Sequence, residues 1–207
     1  MPDSNAGRAL YAEHQGTYVL KLVGDIRAPI CATLDSFVES MFCDVKLRSI
    51  LVDLSETQLI DSTALGLIAK IAVHTRKRFQ EKPVIISTRP DITRILDSMG
   101  LEQVFDIVQE ASVISSAMNE VPIELCVENS ACQKVLEAHR VLMSLNEKNH
   151  ETFKEVVAAL EFDQFDSVDG STNSSTNCCG GDVVDDSDIS TISTISTISS
   201  REHKHTG

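Results

Sequence analysis

Tryptophan is absent from the 207 residues, and aromatic side chains are only 4% of them. That scarcity disfavours a platform of stacked rings for single-stranded nucleic acid. Basic residues are also few: 18 Lys and Arg stand against 31 Asp and Glu, a formal net charge of −13. Phosphate backbones and anionic lipid attract a basic surplus, so neither nucleic acid nor a membrane surface is an expected partner. No apolar run approaches the ~20 residues that a membrane helix needs. The opening Met1-Pro2-Asp3-Ser4-Asn5 lacks the basic and then apolar regions of a signal peptide. A cytoplasmic protein is the expectation.

Signatures of catalysis are missing too. There is no Gly-rich loop ending in Lys-Ser/Thr for nucleotide phosphates, and no Gly-x-Ser-x-Gly elbow. The six cysteines lack the paired short spacing of a zinc site: Cys31 and Cys43 fall in one predicted helix, Cys126 and Cys132 flank a helix start, and Cys178-Cys179 lie in a polar stretch. A reducing cytoplasm keeps them as thiols. His14, His74, His139 and His150 are scattered and read as surface or packed residues, and His203 with His205 lacks a third ligand. No enzyme activity, cofactor or metal is expected.

What is present is an alternation of apolar runs and amphipathic segments over residues 1–120. Thr17 to Val23 reads as a strand, with Ala9 to Ala12 pairing to it across the bend His14-Gln15-Gly16. Pro29 suits the first turn of a helix whose stripe is Ile30, Leu34, Phe37, Val38, Met41 and Phe42. Ser49 to Leu54 is a short apolar run of the buried-strand type, followed by a polar loop, Ser55 to Gln58. Asp61 or Ser62 then caps a helix running to about Phe79, whose last turn carries Arg76-Lys77-Arg78. Pro83 to Ser87 is a strand, Pro90 to Met99 a helix stopped by Gly100, Val104 to Val108 a strand and Ala111 to Glu120 a helix. This order predicts an α/β fold: a mixed, mostly parallel sheet covered by helices.

Asp61-Ser62-Thr63 is the most informative point. It follows a buried strand and opens a helix, which places the Ser62 hydroxyl at the rim of the sheet. A phosphate there gains from free amides and the helix dipole, and adds nearly two negative charges beside Asp61. As bare residues, the three equally suit a helix cap. The wider pattern resembles a family. Ile50-Leu51-Val52-Asp53-Leu54 followed by Ile60-Asp61-Ser62-Thr63-Ala64-Leu65-Gly66-Leu67 is similar to the signature of STAS domains of anti-sigma factor antagonists. Ile95-Leu96-Asp97-Ser98-Met99-Gly100-Leu101 before Val104-Phe105 adds to the likeness, which spans roughly residues 8–120.

The resemblance implies a binding protein rather than an enzyme. Ser62 would be phosphorylated by an anti-sigma factor with serine kinase activity, Thr63 being the lesser acceptor. The unphosphorylated form would bind that anti-sigma factor and release its sigma factor, and a serine phosphatase would reset the switch. Asp25, Asp61, Ser62, Thr63 and Leu65 are the implied partner-binding residues. Two positions depart from the family: Ala64 stands where Gly is frequent, and Gly24-Asp25-Ile26-Arg27 replaces a Gly-Glu-Leu-Asp pattern. Rival readings are a phosphoserine-gated adaptor for another signalling enzyme, such as a nucleotide cyclase, and an unmodified structural STAS module of a larger assembly.

Beyond the expected STAS domain (1–120), residues 121–162 read as a helical extension. Val135, Ala138, Leu142 and Leu145 form one apolar stripe, and Phe153, Val156, Val157 and Leu160 another, with a turn at Asn146 to Asn149. Such a hairpin is expected to pack back on the domain, with dimerisation or a second signalling protein as the alternatives. Residues 163–207 are rich in Ser, Thr, Asp and Gly and repeat Ile-Ser-Thr from Ile189 to Thr197, which predicts a disordered tail.

Overall fold

Two successive left-handed residues make the first turn. In the computed structural model, which describes residues 5–110, 117–122 and 128–168, Gln15 and Gly16 have φ of 54° and 85°. They join strand β1 (Arg8–His14) to β2 (Thr17–Ile26) as an antiparallel pair with Leu10 opposite Lys21 and His14 opposite Thr17. Two-residue turns of this hand match the twist of paired strands. The Gly16 carbonyl also accepts from the amides of Arg48 (2.8 Å) and Ser49 (3.3 Å), which starts the next strand of the sheet.

The chain then alternates. Helix α1 (Ala28–Cys43) leads to β3 (Ser49–Ile60), α2 (Ser62–Phe79) to β4 (Val84–Ile86), and α3 (Pro90–Ser98) to β5 (Asp106–Val108). The sheet order is β5-β4-β3-β2-β1-β6, with β2 to β5 parallel and β6 (Asn119–Glu120) antiparallel to β1. Alternation in β2 buries Leu20, Leu22 and Ile26, which meet Val52, Leu54 and Ile60 of β3 and the apolar face of α2 (Leu65, Ile68, Ala69, Ile71 and Ala72). Arg78, in the basic last turn of α2, donates to the carbonyls of Phe42 (2.5 Å) and Asp44 (3.0 Å) at the end of α1, so that turn closes a neighbouring helix.

Three elements differ from the sequence-based expectation. The polar stretch Ser55 to Gln58 is strand, not loop. Register shifts opposite Lys21/Val23 and Gly24/Asp25 let β3 carry two extra residues and keep pairing to Ile60. Lys21 answers the acids, 2.6 Å from Glu56 and 3.7 Å from Asp53, while the buried Thr57 hydroxyl donates to the Leu22 carbonyl (2.8 Å). Leu101–Gln103 is a 3-10 turn, and β5 begins only at Asp106, because Val104 and Phe105 turn into the core. Asn119–Glu120 is a strand and not the end of the expected helix over Ala111 to Glu120. The open edge of β1 takes it up, and the amide of buried Val121 donates to the Ala9 carbonyl (2.9 Å). Residues 111–116 of that expected helix lie outside the described residues.

Helices α4 (Glu128–Ser144) and α5 (Glu147–Val168) form an antiparallel pair, and α4 lies against α1 and α2. Helical backbone continues past Asp163, where the chain was expected to lose order. Residues 169–207, with the Ile-Ser-Thr repeat, lie outside the described residues. Among the described residues, no helix is long and apolar enough to cross a membrane.

Gly16 is the most constrained turn position, since a Cβ there would sit 2.3 Å from the Lys46 carbonyl oxygen. Gly16→Ala combines that clash with a left-handed φ, and a loss of about 1–3 kcal/mol of stability is expected in urea unfolding. A change indistinguishable from zero would mean that the turn relaxes freely.

Candidate functional site

The C-terminal ends of β2 and β3 are parallel neighbours, with Ile26 paired to Ile60, so the turns that follow them lie side by side. Asp61 ties these turns together. Its amide donates to the Ile26 carbonyl (3.1 Å), and its carboxylate accepts from the amides of Ala64 (2.9 Å) and Ala28 (2.7 Å). Ala28 and Ser62 are the first residues of α1 and α2, so one carboxylate serves two helix N-termini. Asp61 is therefore the N-cap, and Ser62 is held at the first position of α2, half-buried.

The Ser62 hydroxyl is engaged. Its Oγ lies 2.9 Å from Nε2 of His139 on α4. Nδ1 of that ring lies 2.8 Å from the Val135 carbonyl, which only accepts, so Nδ1 carries the proton. In the neutral ring Nε2 is then the acceptor, and Ser62 donates to it. His139 is buried, edge-on to Phe153 of α5 with ring centroids 5.7 Å apart. The periodicity of α4 carries a signal for this contact: His139 falls in the stripe of Val135, Ala138 and Leu142. Its partner on α2 lies 77 residues away in sequence, and no local pattern names it.

A charge cluster flanks the hydroxyl along α2. The buried Lys70 ammonium lies 2.9 Å from Asp35 of α1, 3.2 Å from Glu39 and 3.4 Å from Glu137 of α4. Burial pulls the pKa of this group down, but the carboxylates of Asp35, Glu137 and Glu39 outweigh it and hold the pKa above the ordinary lysine value. Lys134 of α4 completes the cluster, 3.2 Å from Asp35 and donating to Ser36 (2.6 Å) and to the Ala32 carbonyl (3.2 Å).

Of the residues expected to meet a partner, Asp25, Asp61 and Ser62 retain surface, whereas Thr63 and Leu65 are buried. Asp25 pairs with Arg27 (3.5 Å) beside an open concavity of about 500 Å³ lined by Asn5, Ala6, Gly7, Pro29 and Ile30. This concavity lies at the same end of the sheet as Ser62. Cys31 is buried, and desolvation, with the charges of Asp61 and Asp35, pushes its thiol far up, away from thiolate chemistry. Glu147, His150 and Glu151 gather on the exposed first turn of α5. The Lys154 ammonium already pairs with Glu151 and holds that carboxyl below its usual range, so this group reads as a solvated face.

Residues 9–113 match the STAS domain. Similar solved structures include an anti-sigma factor antagonist from Mycobacterium paratuberculosis, 19% identical with a TM-score of 0.43, covering 52% of this chain and 89% of that one. The anti-sigma factor antagonist SpoIIAA in its unphosphorylated form is 14% identical, with a TM-score of 0.44, covering 51% of this chain and 90% of that one. The Bacillus cell fate determinant SpoIIAA in the phosphorylated form is also 14% identical, with a TM-score of 0.42 and coverage of 51% and 93%. No curated protein matches the chain.

Two substitutions probe the frame of the site. Asp61→Ala strips both helix starts of their acceptor and is expected to cost about 1–2 kcal/mol in urea unfolding. Lys70→Met removes one partner of a buried charge cluster and leaves Asp35 with Lys134 alone, for an expected loss of about 3 kcal/mol. A neutral Lys70→Met would show that the cluster is solvated.

Proposed function

The chain belongs to the STAS-domain family, and on that premise we propose that it is an anti-sigma factor antagonist working by partner switching in the cytoplasm. Unphosphorylated, it binds an anti-sigma factor and so frees a sigma factor. Phosphorylation of Ser62 by that anti-sigma factor, acting as a serine kinase, ends the binding, and a serine phosphatase restores it. The protein is then a kinase's substrate and not itself an enzyme.

The observation that carries this reading is the placement of Ser62: a hydroxyl at the first residue of α2, beyond the C-terminal end of a central parallel strand, with Asp61 fixed beside it. Ligands of open α/β sheets gather at that end of the strands. A phosphoryl group there adds nearly two charges next to the Asp61 carboxylate. A partner surface complementary to a neutral hydroxyl would then meet repulsion and an unmet desolvation cost. About 3 kcal/mol of such difference changes affinity by roughly 100-fold, enough for a switch. Asp25 and Asp61 contribute to the same partner surface, as does the backbone around Thr63 and Leu65.

A pull-down with the wild-type chain, Ser62→Ala and Ser62→Asp, each eluate identified by mass spectrometry, tests the switch. Ser62→Ala is expected to retain a serine-kinase anti-sigma factor, and Ser62→Asp to lose it by at least about tenfold. Equal recovery of the same partners by all three variants would leave Ser62 as a helix cap and remove the partner-switching reading. Capture of another signalling enzyme, such as a nucleotide cyclase, with the same dependence on Ser62 would replace the anti-sigma factor by an adaptor's target.

A further inference from the structure

The residue that the proposed switch needs open is occupied by the chain itself. Ser62 is half-buried, and its hydroxyl is hydrogen-bonded to His139 of α4. Beside it the backbones of α2 and α4 touch. A Cβ on Gly66 would lie 2.1 Å from the Ala138 carbonyl oxygen, and its three nearest atoms would all belong to Ala138. Thr63, Leu67 and Lys70 of α2, Cys31, Ala32 and Asp35 of α1, and the facing residues of α4 from Ala131 to Ala138 surround a small space. The α4–α5 hairpin thus covers the face of α2 adjoining the switch residue.

We infer that the α4–α5 hairpin is an intramolecular latch on Ser62: docked, it withholds the hydroxyl and the adjoining face of α2, and a kinase or partner reaches them only after the hairpin lifts. This rests on the reading of Ser62 as the switch residue. Transfer of a phosphoryl group requires its phosphorus within ~3–3.5 Å of Oγ, in line with the attacking oxygen. Nε2 of His139 stands 2.9 Å from Oγ, in the space a phosphoryl donor would need. A phosphoryl group on Oγ would fill the gap to Nε2, so the docked hairpin and the modified serine exclude one another.

The hairpin docks through apolar and polar contacts. Val141, Leu142, Leu145 and Phe153 join the core, and Leu136, Ala138 and Val157 are also buried, while α5 leaves Val156 and Phe162 exposed. Much of the remainder is polar and replaceable. Lys134 and Glu137 pair with Asp35 and Lys70 across the helices. At the far end the Asn149 amide donates to the Met99 carbonyl (2.9 Å), and Lys148 donates to that of Ser98 (3.2 Å). A partner presenting its own charges can substitute for such pairs. Local opening of a peripheral element also costs less than unfolding the sheet.

The test reads access to position 62 in the full chain without any partner. Ser62→Cys places a thiol there, and its alkylation by iodoacetamide is followed by peptide mass spectrometry, with exposed Cys43 as the internal reference. Gly66→Ala is added as a wedge between α2 and α4. Leu142→Asp, a charge forced into the buried face of α4, is a second and independent way to lift the hairpin. Hydrogen exchange over residues 134–145 reports release. Each variant is expected to speed exchange in α4 and to raise labelling at position 62 about tenfold or more relative to Cys43. Labelling that stays constant while α4 is released would overturn the latch. So would a failure of both variants to release α4, which would make the hairpin a fixed part of the fold. A pull-down with Gly66→Ala alone then separates the two proposals. Raised labelling with no anti-sigma factor captured leaves the latch standing and removes the anti-sigma reading.

Discussion

The Asp61 carboxylate joins two helix starts. Its oxygens accept the amides of Ala28 and Ala64, and its own amide returns to Ile26. Each helix N-terminus leaves amides without partners, and a carboxylate between two of them meets both needs and both dipoles. The pairing of β2 with β3 brings the two turns close enough for this, and the shared carboxylate then holds the helices in phase with the strands. Ser62 follows Asp61 directly, so its hydroxyl inherits a position set by the whole end of the sheet and not by a loop. A modification at such a point meets a prearranged surface.

The second constraint is the approach of α4 to α2. Helix backbones come this close only where a residue without a side chain lets them, and Gly66 is that residue. Its effect reaches beyond packing. With α4 against Gly66, Val135 and His139 fall one turn apart over the start of α2, and the imidazole is locked by the Val135 carbonyl with Nε2 aimed at Ser62. The Lys70 and Lys134 pairs fix the sliding of one helix along the other. Sliding one helix along the other would separate these partners and leave buried charges unpaired. Geometry and charge thereby select one docked position for the hairpin.

The periodic elements could be read from the sequence because they are set by burial. The two-residue repeat of β2 and the three-and-four spacing of α1 and α2 each describe a face turned to the core. The errors fall where pairing or capture by a neighbour decides. Ser55 to Gln58 looks like a loop by polarity, yet two bulges and the Lys21 ammonium make it strand. Asn119–Glu120 sits in a stretch with helical composition, yet the open edge of β1 takes it up. In the hairpin, Ala138, Leu142 and Leu145 of the first stripe are buried, as are Phe153 and Val157 of the second, while Val156 of the second is exposed. The helix-to-helix turn is also tighter than the Asn146 to Asn149 expected, with Asn149 already inside α5 and bonded to Met99.

By itself the sequence determined the α/β alternation, a helix cap at Asp61 or Ser62 and the place of Ser62 at a helix start. These follow from propensity and hydrophobic period, which act over a few residues. It left His139 as one histidine among several, and Gly66, Lys70 and Lys134 without assigned partners. Only the tertiary structure decided that His139 meets Ser62, that Gly66 admits α4, and that Lys70 and Lys134 share Asp35. Those contacts join residues tens of positions apart. Their specificity comes from how two amphipathic helices dock on a third, which depends on shape and paired charge at the crossing and not on the composition of any one segment.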